Sequence, residues 1–496
     1  MNKRQLKQGA QWSMIGLGGR MVLSFITAPI IISKIGLEGY GVILLLNLYS
    51  YNGIIQFLDF GLPLVLQKKF AVLSDPREEQ ELIQGGFSLM LIFGLLSFFL
   101  LVSTTLFSPS IFKLGAYLIQ FQKYVYILGF FIVAQFLINF YSSFLLSKTE
   151  VILVKKWEAI LNIFWSLWSI ITVLLYSESF IAPFLAGNLI LNCISLAFLA
   201  RASKISISKN LILLPKTLFT PNFNSLWKSS FLLKLNGLTF KQSDALIVSL
   251  LLNPAGLSLL DISTKFMALG KTIMGKLNEI SFVHFNTQTS GSSAGKLEND
   301  FFKMLNVQII LISIIAFFLV FFPNELLTIW LGNKFVPETI LYVKISGIIL
   351  LLVPYAHLLT NYLVAVKDEF KDIILTIAKV SMFNIVCSII LTIKFGVLGV
   401  MISTFIQHVI LEVLLLRHAQ FEPKNLRYHF KLFFTMVAFL AIVGVAISPL
   451  GHIFAGVLSN MAIKLAAFLI LLTLFFVFLL KKDEYLNSLI KSFRRF

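Results

Sequence analysis

The chain has 496 residues, 58% of them hydrophobic and 13% charged, with a formal net charge of +18. That composition leaves no room for a large soluble catalytic domain. It also excludes the usual reading of a basic protein as a nucleic-acid binder, because the Lys and Arg fall between apolar stretches and form no compact basic domain.

Fourteen apolar stretches run along the chain, near 12–33, 41–66, 86–107, 124–146, 158–176, 181–200, 231–252, 256–283, 304–322, 339–366, 373–393, 397–416, 432–447 and 456–480. About 20 residues of helix cross the ~30 Å hydrocarbon layer of a bilayer. A backbone in lipid must satisfy its own hydrogen bonds, so each stretch reads as a helix. The first is longer than the apolar part of a secretory signal and has no small-residue cleavage site after it, so it is expected to stay in the mature protein. Cys193 and Cys387 lie inside spans, and no disulfide is expected.

The segment 201–230, with its Leu-Pro and Thr-Pro pairs, reads as a cytoplasmic linker between an N-terminal lobe (1–200) and a C-terminal lobe (231–416). The last pair of spans occupies 432–480, and 481–496 is a basic tail. A faint repeat supports two lobes: Gly39 falls on Gly256 and Gly115 on Gly332 at an offset of 217, and Asn162-Ile163 falls on Asn384-Ile385 at 222. The predicted fold class is an all-α polytopic membrane protein, with about 14 transmembrane helices in two pseudo-symmetric six-helix lobes plus a C-terminal helix pair.

Of the 41 Lys and Arg, 27 lie in the two tails and in every second gap, and 5 in the remaining gaps. The positive-inside rule then places both termini in the cytoplasm. The other 9 lie within spans, where a charge costs at least ~2.5 kcal/mol and usually faces a wet cavity or a partner. Arg20 is in the first span, Asp59 in the second, Lys234, Lys241 and Asp244 in the seventh, and Asp261, Lys265, Lys271, Lys276 and Glu279 in the eighth. At 100° per residue, Asp261, Lys265, Thr272, Lys276 and Glu279 share one stripe about 60° wide.

Two readings of these charges stand side by side. Lys276 and Glu279, like Asp261 and Lys265, have the spacing of helical ion pairs, and Lys271 can snorkel. The seventh and eighth spans hold five Lys against three carboxylates, so full pairing leaves basic charge in excess; Arg20, Lys234, Lys241 and Lys265 are the candidate substrate-binding set, lining a cavity suited to a phosphate, pyrophosphate or acidic sugar. Asp59, Asp244 and Asp261 are candidates for ion coupling to H⁺ or Na⁺, or for charge pairing: Asp244 with Lys241 and Asp261 with Lys265. Lys344, Lys379, Glu412 and Lys464 are isolated and read as structural. The His residues show no metal-ligand spacing and there is no nucleotide-binding loop, so no metal and no cofactor are expected.

Two stretches carry a family likeness: Ile35-Gly36-Leu37-Glu38-Gly39-Tyr40-Gly41, and Leu58-Asp59-Phe60-Gly61-Leu62. Leu326 to Phe335, the Lys367 to Lys371 turn and Phe395-Gly396-Val397-Leu398-Gly399-Val400 add to it. Over essentially its whole length the chain resembles the Wzx-type polysaccharide and O-antigen flippases of the multidrug/oligosaccharidyl-lipid/polysaccharide (MOP) exporter superfamily. The resemblance implies two lobes around a cationic cavity and a non-enzymatic, alternating-access flippase of the bacterial cytoplasmic (inner) membrane. Its substrate would be an undecaprenyl-pyrophosphate-linked oligosaccharide repeat unit, carried from the cytoplasmic to the outer leaflet for surface polysaccharide. Membrane lipids, and the polysaccharide polymerase and chain-length machinery, are the implied partners; nucleic acid is not. The lipid II flippase branch looks similar and is marked by basic residues in helices 1, 2 and 8. Arg20 and Lys265 match two of these, but the interior of the second span has none. The drug-antiporter branch normally has 12 helices and a cavity for cations, at odds with the basic excess. A membrane glycosyltransferase or polymerase would need a larger outer loop than 108–123 or 323–338, where Glu325 and Glu338 are the only carboxylates.

Overall fold

The computed structural model describes residues 3–49, 53–73, 75–107, 111, 113–205, 221–288, 293–367, 369–449 and 457–482. Residues 206–220 of the expected 201–230 linker and residues 483–496 of the expected 481–496 basic tail lie outside the described residues. Helices dominate: α1 (Lys3–Leu48), α2 (Leu62–Val72), α3 (Pro76–Phe107), α4 (Leu118–Ser147), α5 (Val151–Tyr176), α6 (Ile181–Ser203), α7 (Pro221–Leu251) and α8 (Pro254–Gln288) are followed by α9 (Ala294–Phe321), α10 (Pro323–Leu331), α11 (Glu338–Val366), α12 (Phe370–Phe395), α13 (Val397–Ala419), α14 (Pro423–Ile447) and α15 (Val457–Lys482). Among the described residues, 11 helices are long and apolar enough to cross a membrane. The broken segment ending in α2, together with the charge-bearing α7 and α8, accounts for the rest of the fourteen apolar stretches. The chain is a multi-pass membrane protein.

The second span departs from expectation. In place of one helix over 41–66, α1 runs on from the first span through a break at Gly36 (φ 70°, ψ −178°) to Leu48. A short 3-10 turn (Ile54–Asp59) then leads into α2. The physical reason lies in Asp59, whose Oδ1 accepts the Gly61 N–H at 2.7 Å. This Asx-type turn competes with helix hydrogen bonding, and Phe60 (φ 49°) and Gly61 (φ 75°) adopt left-handed backbone to complete it.

The chain divides into two units. The first comprises Met1–Leu260 with Ile385–Val400, and the second Asp261–Asn384 with Met401–Phe496. In the first unit α1 packs along α5, with Gly16 set so close to Ala159 that a Cβ would lie 2.8 Å from its backbone, while α4 packs against α3 and α6. In the second unit α11 and α14 flank α9. Phe317 and Phe322 meet Met436, Leu440, Val443 and Ile447 of α14 and Phe468 of α15. The Phe317 and Phe468 rings stack with centroids 4.1 Å apart.

Candidate functional site

The Leu58-Asp59-Phe60-Gly61-Leu62 stretch closes a knot within the first unit. Asp59 is fully buried, and while Oδ1 holds the Gly61 amide, Oδ2 accepts from the Lys234 ammonium of α7. The Phe60 carbonyl accepts the Trp227 indole N–H at 2.9 Å, one turn earlier on α7 than Phe231, which packs on Phe60 with ring centroids 5.4 Å apart. A Cβ at Gly61 would lie 2.8 Å from the Ser230 carbonyl carbon in a region of positive φ, so both the turn and the approach of α7 require glycine. Gly41, from the other stretch of the motif, sits against the start of α8, where a Cβ would overlap the Pro254 carbonyl oxygen. These glycines and Asp59 thus hold α1, α2, α7 and the α8 start together. Lys234 is one ion-pair partner of Asp59, with its side chain 23% exposed.

Arg20 has a different setting. One turn beyond the tight Gly16 contact, it lines a cavity of about 240 Å³ within the first unit. Two other helices contribute polar side chains at i, i+4, i+7 spacing, one face each: Gln135, Asn139 and Ser142 from α4, and Glu158, Asn162 and Trp165 from α5. Trp157 closes the wall, its ring stacked on Phe198 at 4.3 Å. Arg20 is exposed to this space and, among the described residues, forms no ion pair; Glu158 is bound by Lys155 at 2.8 Å.

On α8 the two faces separate cleanly. Ser263, Met267, Gly270, Met274, Asn278 and Ser281 are buried along one stripe, while Asp261, Lys265, Thr272, Lys276 and Glu279 stay accessible on the other. Lys265 reaches Asp261 at 2.7 Å and Lys276 reaches Glu279 at 2.8 Å, both within the helix. Asp244 is half-buried on α7, and the side chain of Lys241 lies outside the described residues. Of the proposed binding set, the structure gives Lys234 and Lys265 carboxylate partners and puts Arg20 in a cavity of its own.

The second unit carries buried polar contacts that charge spacing does not reveal. Lys464 of α15, nearly fully buried, pairs with Glu325 of α10 and lies 4.6 Å from the Phe322 ring centroid. His429 of α14 contacts Asn306 Oδ1 at 2.6 Å and the Tyr355 hydroxyl at 2.8 Å. Among the described residues, no three His, Cys, Asp or Glu side chains converge as metal ligands.

No protein-family model matches the sequence, and no curated protein matches it. Solved structures do match. The lipid II flippase MurJ in an inward closed conformation superposes with a TM-score of 0.74 at 18% identity, over 95% of this chain and 100% of that one. An inward-facing multidrug resistance MATE family transporter of the MOP superfamily gives 0.61 at 12% identity, over 86% of this chain and 99% of that one. The chain shares the fold of these solved transporters. The MATE multidrug transporter DinF-BH adds a third example, at a TM-score of 0.55 and 15% identity over 84% of this chain and 95% of that one. The likeness concerns the fold, and these neighbours are transporters and flippases, not enzymes.

Proposed function

We propose that the chain is a flippase that moves an undecaprenyl-pyrophosphate-linked oligosaccharide repeat unit from the cytoplasmic to the outer leaflet by alternating access. The observation that carries this reading is Arg20, a permanent cation at membrane depth that faces a polar cavity and has no ion pair among the described residues. A site of that sign suits an anionic cargo and opposes a cationic drug. Lys234, Lys241 and Lys265 complete the proposed basic set, with Asp59 and Asp261 holding two of them in place. One or more of Asp59, Asp244 and Asp261 is the proposed coupling carboxylate for H⁺ or Na⁺. The proposed setting is a bacterial inner membrane with both termini cytoplasmic, beside the polymerase and chain-length machinery of a surface polysaccharide.

A second reading, lipid II flipping, draws support from the fold shared with MurJ. Proteoliposomes separate the two. The purified chain is reconstituted with a fluorescent lipid-linked oligosaccharide or with fluorescent lipid II, and the fraction reaching the opposite leaflet is read by quenching. Selective movement of the oligosaccharide is the expected result. Movement of lipid II alone would replace the first reading with the second, and movement of neither would refute both.

A further inference from the structure

The cavity around Arg20 has a size and a lining that an ion-pair network does not need. At about 240 Å³ it is more than ten times the roughly 10–15 Å³ that one water requires, and it falls just below the ~300 Å³ at which pockets for drug-sized ligands begin. That is the scale of a single ring, not of an oligosaccharide. Its wall mixes donors with acceptors. The guanidinium donates, the Glu158 carboxylate accepts, and the amides of Asn139 and Asn162 do both, while Trp157 and Trp165 add indole surface. Gln135 Oε1, Trp157 Nε1 and Trp165 Nε1 are buried without a hydrogen-bond partner among the described residues, although native proteins leave few such groups unpaired.

Candidate occupants can be ranked by these groups. A metal cation is opposed by Arg20, and the one carboxylate at hand already binds Lys155 at 2.8 Å. A simple anion would satisfy the donors but leave the amide acceptors of Asn139 and Asn162 and the indole faces without a use. A pyranose ring offers hydroxyls that donate and accept along its edge and C–H faces for the indoles. A carboxylate on that ring gives Arg20 a charge-assisted partner. We propose that the open cavity beside Arg20, formed within the first unit by α1, α4, α5 and α6, is a subsite for one acidic sugar residue of hexuronate type. The inference rests on the reading of the cargo as a lipid-linked glycan and narrows it to glycans that carry a uronic acid.

The test is direct binding to the purified full chain in detergent, with methyl glucuronide, methyl glucoside and inorganic phosphate as probes, read by calorimetry and by tryptophan fluorescence. Saturable glucuronide binding is expected, at least roughly tenfold tighter than either other probe, from the charge-assisted bond to Arg20. Arg20→Gln should lower the glucuronide to the level of the glucoside and leave the glucoside unchanged. Trp157→Phe with Trp165→Phe should remove the fluorescence response. The proposal is overturned by phosphate binding as tightly as the glucuronide, by no saturable glucuronide binding, or by a response that survives the loss of both indoles. If Arg20→Gln does not fold, the wild-type comparison of the three probes decides alone. Binding in detergent needs no translocation. A chain that binds glucuronide yet moves no lipid-linked glycan upholds the subsite and refutes the flippase reading; a chain that moves the glycan without binding glucuronide does the reverse.

Discussion

Separating Asp59 from Lys234 tests whether the signature stretch is a structural clasp. Asp59 is fully buried and the Lys234 side chain is 23% exposed, so the two single variants cost different amounts. Lys234→Met takes the ammonium away from a buried carboxylate and should destabilise by about 3–5 kcal/mol, the usual cost of breaking a buried pair from one side. Asp59→Asn keeps an acceptor for the Gly61 amide and leaves an ammonium that water partly reaches, so about 2 kcal/mol is expected. The double variant removes both charges and retains the Asx turn, and should fall within about 1–2 kcal/mol of wild type. Equilibrium unfolding in mixed detergent micelles, followed by tryptophan fluorescence, measures all four corners of the cycle. Losses that simply add would refute the pairing. The same variants divide structure from transport: a double variant that folds yet moves no cargo gives the Asp59–Lys234 pair a role in transport, and one that transports normally confines the pair to the clasp.

Other predictions follow from the remaining contacts. Glu325→Gln leaves the buried Lys464 ammonium unpaired and should destabilise by about 3 kcal/mol, with Lys464→Met in the same chain restoring most of it, as thermal unfolding in detergent would record. Gly41→Ala drives a methyl into the Pro254 oxygen and should abolish accumulation of folded protein, whereas Gly275→Ala, in open space, should be silent; monodispersity on size exclusion reports both. Cysteine labelling should find Lys113, Asn253 and Asn333 outside and Lys209, Ser292 and Lys424 inside, and a reversal between neighbouring sites would break the topology. Asp244→Asn should leave passive flipping in liposomes intact and remove its response to an imposed H⁺ or Na⁺ gradient; an unchanged response would exclude Asp244 from coupling.

Hydropathy located the helices because membrane crossing leaves a long apolar run that needs no tertiary context. It misread 41–66 because a turn stabilised by Asp59 looks, residue by residue, as apolar as a helix. Charge spacing found Lys265 with Asp261 and Lys276 with Glu279, since partners at i+3 and i+4 are fixed by the helix itself. It could not find Asp59 with Lys234, 175 residues apart, or Lys464 with Glu325, 139 apart, because packing decides those. The surroundings of Arg20 escaped for another reason. Gln135, Asn139 and Ser142 on α4 and Asn162 and Trp165 on α5 carry no charge, although their i, i+4, i+7 spacing shows that each set occupies one face.

The Asp59 clasp also has a consequence for biogenesis. The carboxylate leaves the ribosome 175 residues ahead of its ammonium, an interval of roughly 9–35 s at 5–20 residues per second. Throughout that time the segment would hold a charge without that ammonium, at a cost of about 2.5–3.5 kcal/mol in the bilayer, with its helix already interrupted by the Asx turn. The expected outcome is late insertion of the 41–72 segment, at the arrival of α7. Nascent chains stalled before Lys234 should leave position 64 open to aqueous labels, and chains stalled well after it should protect that position.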